Sequence, residues 1–120
     1  MFNNSFLKKL NILFIESNTE DREHFSNILY KFFNNVVVCS NGKDGIDNFL
    51  EKRQEYFLDI IICDKTLEDI TGIEVLKKIR EIDSEIPFII TSPKIEVDDL
   101  LIAIKYKATD YLSKPINGKD

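Results

Sequence analysis

The stretch Asp59-Ile60-Ile61-Ile62-Cys63 sets the strongest limit on what this chain can fold into. Consecutive isoleucines leave no polar face, so a strand here is buried on both sides, as strands of parallel sheets are. Similar short apolar runs rich in Ile, Val and Phe occupy residues 11–15, 35–39, 57–63, 87–91 and 110–113. Helical patterns lie between them. Phe25, Ile28, Leu29 and Phe32 recur at the spacing of one helix face, and Ile46, Phe49 and Leu50 do so after the turn signal Asn41-Gly42. Ile73, Leu76, Ile79 and Ile82 follow Gly72, and Val97, Leu100, Leu101 and Ile104 follow Pro93. Strand and helix alternate throughout, which predicts parallel strands, right-handed crossovers and helices on both faces of one sheet.

Size and charge narrow the function. With 120 residues, 43% of them hydrophobic and 31% charged, the chain makes one domain with one core. A formal charge of −5 argues against direct nucleic-acid binding. No stretch approaches the roughly 20 apolar residues that span a bilayer, and MFNNSFLKKL has no signal-peptide core, so no membrane contact and a cytoplasmic location are expected. The wealth of Lys, Asn and Ile resembles an AT-rich bacterial coding bias. Cys39 and Cys63 end apolar runs without a second ligand nearby, and read as buried thiols of a reducing compartment. A helix should follow the run 110–113 and cover that side of the sheet, yet only Ile116-Asn117-Gly118-Lys119-Asp120 remain. Residues 1–120 are therefore expected to be a single domain cut from a longer protein before its last helix, or one that borrows that helix.

Open α/β sheets bind ligands beyond the carboxyl ends of their strands. Glu16 and Ser17 stand at the first such end, Asp64 at the third, Thr91 and Ser92 at the fourth, and Lys114-Pro115 at the fifth. Carboxylate oxygens suit a hard cation such as Mg²⁺, which would offset the repulsion between Glu16 and Asp64. Asp64 could then act as a nucleophile toward phosphorus, with a lysine and a hydroxyl meeting the phosphoryl oxygens.

In these features the chain resembles the receiver domain of response regulators, the phosphoacceptor module of two-component signalling, over residues 10 to 116. The acid ending the first strand, "IIICDKTLEDITG", "PFIITS" and "ATDYLSKP" carry the resemblance, in order and with matching gaps. It implies a flavodoxin-like, doubly wound sheet of five parallel strands in the order 2-1-3-4-5. It also implies that Asp64 accepts a phosphoryl group from a histidine kinase or phosphotransfer domain. Glu16, Asp64 and the backbone carbonyl of Thr66 would hold Mg²⁺, Thr91 and Lys114 would meet the phosphoryl group, and Tyr111 would be the aromatic switch that turns inward as Thr91 moves. Lys114-Pro115 would be a cis peptide. Such a domain catalyses its own phosphorylation and dephosphorylation without being a turnover enzyme. Its partners would be its own output domain or a downstream protein, and a second copy through the face of the fourth helix and fifth strand. Apolar sheet surface left bare by a missing last helix would favour that association.

Ser17 departs from the family pattern, which has a second metal-site acid at this position. Fewer carboxylates weaken Mg²⁺ binding, and Glu20, Asp21 and Glu68 are the acids near enough in sequence to substitute. Ser17-Asn18-Thr19-Glu20 also reads as a capping box in which Ser17 bonds the Glu20 N–H. The alternative is a degenerate receiver that works as a protein-interaction module without phosphorylation. A phosphatase with an Asp nucleophile would need an acid two residues on, where Thr66 stands. Lys107 replaces a common glycine, Leu67-Glu68 replaces a common Met-Pro, Gly72 is read as a turn glycine with a backbone shape closed to other residues, and His24 is read as a solvated helix residue.

Overall fold

The computed structural model describes residues 4–55 and 57–115. After a single helical turn, Asn4–Leu7, the chain runs β1 (Asn11–Ile15), α1 (Thr19–Phe32), β2 (Asn35–Cys39), α2 (Gly42–Lys52), β3 (Ile60–Asp64), α3 (Gly72–Ile82), β4 (Phe88–Ser92), α4 (Val97–Lys105) and β5 (Asp110–Ser113). All strand pairs are parallel and the sheet order is β2-β1-β3-β4-β5, the flavodoxin-like arrangement expected.

Side chains alternate across each strand, so the sheet has two distinct faces. Leu13, Ile15, Ile61, Cys63, Phe88, Ile90 and Tyr111 share one cluster with residues of α2, α3 and α4. Ile12, Phe14 and Ile62 face the other way and pack with Leu29 and Phe25 of α1. Phe14 meets Phe25 edge to face, with ring centroids 5.2 Å apart. Both cysteines are buried and free. The starts of α1, α2 and α3 are capped by side chains, whereas that of α4 is not. Thr71 and Glu74 form a reciprocal capping box on α3, and Asn41 accepts from the Asp44 N–H at the start of α2.

Three expectations need correction. The run 57–63 becomes a strand only from Ile60, because Phe57 is 78% exposed and the Asp59 carboxylate takes the Asn11 N–H at 2.8 Å. Pro87 has no N–H and lends only its carbonyl, to the Ile61 N–H, so β4 starts at Phe88. Both strands end one residue later than expected, which brings Asp64 and Ser92 into the ladder. Leu50 lies at the exposed edge of α2, whose buried line is Gly42, Gly45 and Phe49.

The largest departure is α4. Val97, Leu101 and Ile104 are 70%, 59% and 62% exposed, while the small Ala103 is the buried residue and Leu100 is half-buried. Apolar spacing is therefore not spent on the core here. Polar bonds hold both ends of the helix instead. Lys65 Nζ reaches Asp99 Oδ2 at 2.8 Å, and Arg80 donates to the Tyr106 and Lys107 carbonyls at 3.0 and 2.8 Å. On the α1 side of the sheet, Ile60, Ile89 and Leu112 are half-buried, while the more exposed apolar side chains Val97, Leu101 and Ile104 lie on α4. The expectation that no helix follows β5 falls on residues 116–120 and lies outside the described residues.

Lys107 ends α4 in the left-handed region, at φ 62°. The Ala108 N–H bonds the Ala103 carbonyl and the Lys107 N–H bonds the Ile104 carbonyl, the two bonds of a Schellman cap. A left-handed lysine is strained where glycine is not. Lys107→Gly is expected to raise stability by about 1 kcal/mol in urea unfolding, with unchanged far-UV circular dichroism.

Candidate functional site

The two-residue period of the strands assembles the site. On the face covered by α1, Ile12 and Phe14 are followed by Glu16, Ile62 by Asp64, and Ile89 by Thr91. Asp64 and Thr91 are register partners, and Glu16 lies one step beyond the Ile15–Cys63 pair. Glu16, Asp64 and Thr91 are 1%, 4% and 1% exposed. Lys114 follows Leu112 by two and brings its ammonium to the same place.

That ammonium meets three carboxylates. Lys114 Nζ lies 2.6 Å from Glu16 Oε1, 2.9 Å from Asp21 Oδ2 and 3.0 Å from Asp64 Oδ1. Burial alone would lower the lysine pKa, but these acids outweigh it and hold the pKa well above its ordinary value. Burial pushes the Glu16 carboxyl up, Lys114 pulls it back, and the charge of Asp64 pushes it further, so it stays raised. The approach to Asp64 is an ion pair without hydrogen-bond geometry. Asp64 Oδ1 and Thr91 Oγ1 are both buried with no hydrogen bond; the ammonium offsets the charge on Asp64, whereas the Thr91 hydroxyl has no compensation, which costs free energy.

Ser17 behaves differently from expectation. The helix cap is Asn18, whose Oδ1 accepts the Asp21 N–H at 2.9 Å. Ser17 turns away from the helix. Its hydroxyl donates to the Ser40 carbonyl at 2.6 Å and accepts the Glu68 N–H at 3.0 Å, joining the loops after β1, β2 and β3. The capping box fails because Asn18, one residue nearer, reaches the helix while Ser17 has stronger partners across the sheet. Arg22 Nη1 braces the same loop by donating to the Glu16 and Ser17 carbonyls at 3.0 Å each. Of the acids near enough to substitute for Ser17, Asp21 reaches the lysine, whereas Glu20 and the Glu68 side chain are exposed.

Gly72 also has another role than expected. Its φ is not positive. It is needed because a Cβ there would collide with the Asp64 carbonyl, and its N–H donates to the Lys65 carbonyl at 2.7 Å. In the same loop the Asp69 carboxylate accepts the Gly42 and Lys43 N–H groups at 2.8 Å each, holding the start of α2. Asp69, Arg22 and the Lys65–Asp99 pair escape a reading of sequence because their side chains bond partners in other loops or helices with no local motif.

The remaining residues fall as follows. Thr66 forms an isolated bridge with Thr71 in the exposed loop. Tyr111 is 8% exposed on the opposite sheet face, its hydroxyl without a partner, while nearby Ser92 donates to the Lys94 carbonyl. The Lys114-Pro115 peptide is cis. His24 is exposed at the rim of a cavity beside Glu16, Asp21, Thr91 and Lys114. For a divalent cation, Glu16 and Asp64 supply hard carboxylate oxygens at the ends of neighbouring strands. Among the described residues no three acids, histidines or cysteines are arranged as one metal's ligands. The donor set fits Mg²⁺ with two carboxylates.

The chain matches the family model described as response regulator receiver domain over residues 12–120. It is 36% identical over 83 residues to the response regulator ArlR of Staphylococcus aureus, covering 69% of this chain and 36% of that protein. It is 35% identical over 82 residues to the transcriptional regulatory protein ZraR of Klebsiella oxytoca, covering 68% of this chain and 18% of the relative. The matched stretch thus spans well under two thirds of either relative. Its fold is similar to that in the CheX-CheY-BeF3-Mg+2 complex from Borrelia burgdorferi, with a TM-score of 0.85 and 18% identity over 98% of this chain and 87% of that one.

The Asp69 cap has a testable pH signature. Burial raises the Asp69 pKa, but the N–H groups of Gly42, Lys43 and Ile70 outweigh it, so the folded value lies below 3.8. A lowered carboxyl pKa stabilises the fold above the unfolded value, and this contribution is lost as pH falls through the folded one. Asp69→Ala should cost about 1 kcal/mol at neutral pH. In urea titrations the gap between variant and wild type should close as the pH falls below about 4.

Proposed function

The chain belongs to the response regulator receiver domain family of two-component systems, and on that premise we propose that Asp64 takes a phosphoryl group from a histidine kinase or phosphotransfer domain. One observation carries this reading. Asp64 and Thr91, register partners on β3 and β4, each bury a side-chain oxygen without a hydrogen bond. A phosphoryl group on Asp64 would use both, because one oxygen becomes the acyl bridge and the Thr91 hydroxyl donates to a phosphoryl oxygen.

In the transfer an Asp64 oxygen attacks phosphorus, the P–N bond to the donor imidazole breaks, and its electron pair stays on the imidazole nitrogen. Lys114 turns an N–H to the incoming oxygens while its bond to Asp21 holds the ammonium in place. Added negative charge beside Glu16 and Asp64 is costly. Mg²⁺, held by Glu16, Asp64 and the Thr66 carbonyl, supplies the offsetting positive charge when bound, and the similar Borrelia complex was solved with BeF3 and Mg+2. Ser17 leaves that cation with one carboxylate fewer, which weakens its affinity. As Thr91 moves, Tyr111 and α4 rearrange. The shallow seating of α4 suits it to this role, since few apolar contacts oppose its movement.

Its partners would be the donor kinase or phosphotransfer domain, an output domain or downstream protein, and a second copy through the α4–β5 face, all in the cytoplasm. Val97, Leu101 and Ile104 favour the homodimer. The domain catalyses its own phosphorylation and dephosphorylation rather than turning over a substrate.

A second reading, a receiver that works without phosphorylation, is favoured by the Ser17 bonds to Ser40 and Glu68. They join the loops around the site with no cation.

Acetyl phosphate with Mg²⁺ should add one phosphoryl mass to the wild type and none to Asp64→Asn. Ser17→Asp should lower the Mg²⁺ needed for labelling by about tenfold. No label at millimolar Mg²⁺ would move support to the second reading. In sedimentation, beryllofluoride should shift the protein toward dimer, and Leu101→Glu should abolish the shift. A monomer at every concentration would remove the dimer.

A further inference from the structure

Resting on the phosphoacceptor reading, we propose that Asp21 is the third acid of this site, a positioning residue that holds the Lys114 ammonium rather than the cation. Asp21 Oδ2 lies 2.9 Å from Lys114 Nζ with hydrogen-bond geometry, which the Asp64 contact lacks. An ordinary exposed ion pair contributes little. Here the Asp21 side chain is 49% exposed, but the lysine it meets is only 14% exposed, and Asp21 is held in the capped first turn of α1. Asn18 accepts the Asp21 N–H at 2.9 Å, and the neighbouring Arg22 bonds the Glu16 and Ser17 carbonyls. Asp21 also sits in the first turn of α1, where a negative charge is favoured by the helix dipole.

The geometry separates this role from metal ligation. The three acids surround the ammonium, and no described trio is arranged around a metal position. Glu16 and Asp64 are the pair a divalent cation would require, and Lys114 competes for both. Asp21 gives the lysine a seat outside that pair. When a cation takes Glu16 and Asp64, Lys114 remains anchored and one N–H is free for a phosphoryl oxygen. Ser17 cannot serve in this way, since its hydroxyl is spent on Ser40 and Glu68.

The test uses Asp21→Asn, Asp21→Ser and the conservative Asp21→Glu, with thermal unfolding to establish that each is folded. In the metal-free protein, the Lys114 ammonium ¹H–¹⁵N signal should shift and broaden in Asn and Ser and recover in Glu. Mg²⁺ affinity, measured by calorimetry, should fall about fivefold in Asp21→Asn, and adding Ser17→Asp should restore it. An unchanged Lys114 signal overturns the proposal, as does an Mg²⁺ affinity that stays within about twofold. The two readings fail separately. A wild type that takes no phosphoryl label, yet shows the Lys114 response, loses the phosphoacceptor reading and keeps Asp21 as the lysine's anchor. A wild type that takes the label without that response keeps the first and loses the second.

Discussion

The ammonium of Lys114 is the point on which the carboxyl edge of the sheet depends. Glu16 and Asp64 are almost fully buried at the ends of adjacent strands, and two like charges so placed repel strongly in a medium less polar than water. Lys114 comes from the far edge strand and cancels much of that repulsion. It therefore ties β5 and its cis proline to β1, β3 and the first turn of α1. The contact that holds the edge together reaches Asp64 Oδ1 as an ion pair and leaves that oxygen without a hydrogen bond.

Around this charge the loops are fastened by side chains that reach across the sheet. Ser17 connects three of them, Asp69 connects the β3–α3 loop to the start of α2, and Gly72 lets that loop lie against the Asp64 backbone. These are hydrogen bonds and close contacts that need no metal, so loop shape does not wait on a cation.

The other half of the domain is less firmly made. Phe88, Ile90 and Tyr111 are buried, yet α4 above them buries little beyond Ala103 and relies on polar bonds at its two ends. Lys65, which makes one of those bonds, directly follows Asp64. A change of charge at Asp64 thus acts close to a contact that seats α4, which gives the proposed signal a short physical route from the site to an exposed apolar surface.

Much of this was legible in sequence. Ile60-Ile61-Ile62 has no polar face and so demands a strand covered on both sides, and alternating strand and helix periods demand parallel crossovers. Period two then places Glu16, Asp64 and Thr91 on one face wherever the strands align, which is why the residues that line the site were nameable from spacing. Other features depend on through-space partners that no local pattern encodes. Ser17 fits a capping box by its neighbours, but its hydroxyl finds Ser40 and Glu68. Gly72 looks like a turn glycine, but it is a gap for the Asp64 carbonyl. The apolar spacing of α4 predicts a packed face, but packing depends on what lies opposite, and only Ala103 and part of Leu100 find the core. The chain's own order of residues determined the parallel α/β class and which strand ends carry polar groups, because periodicity and handedness are local rules, while the sheet order was implied by the family resemblance. Only the tertiary structure decided that Asp21 shares the lysine and Ser17 does not join the acids, because those outcomes turn on distances of a few ångströms between segments far apart in the chain.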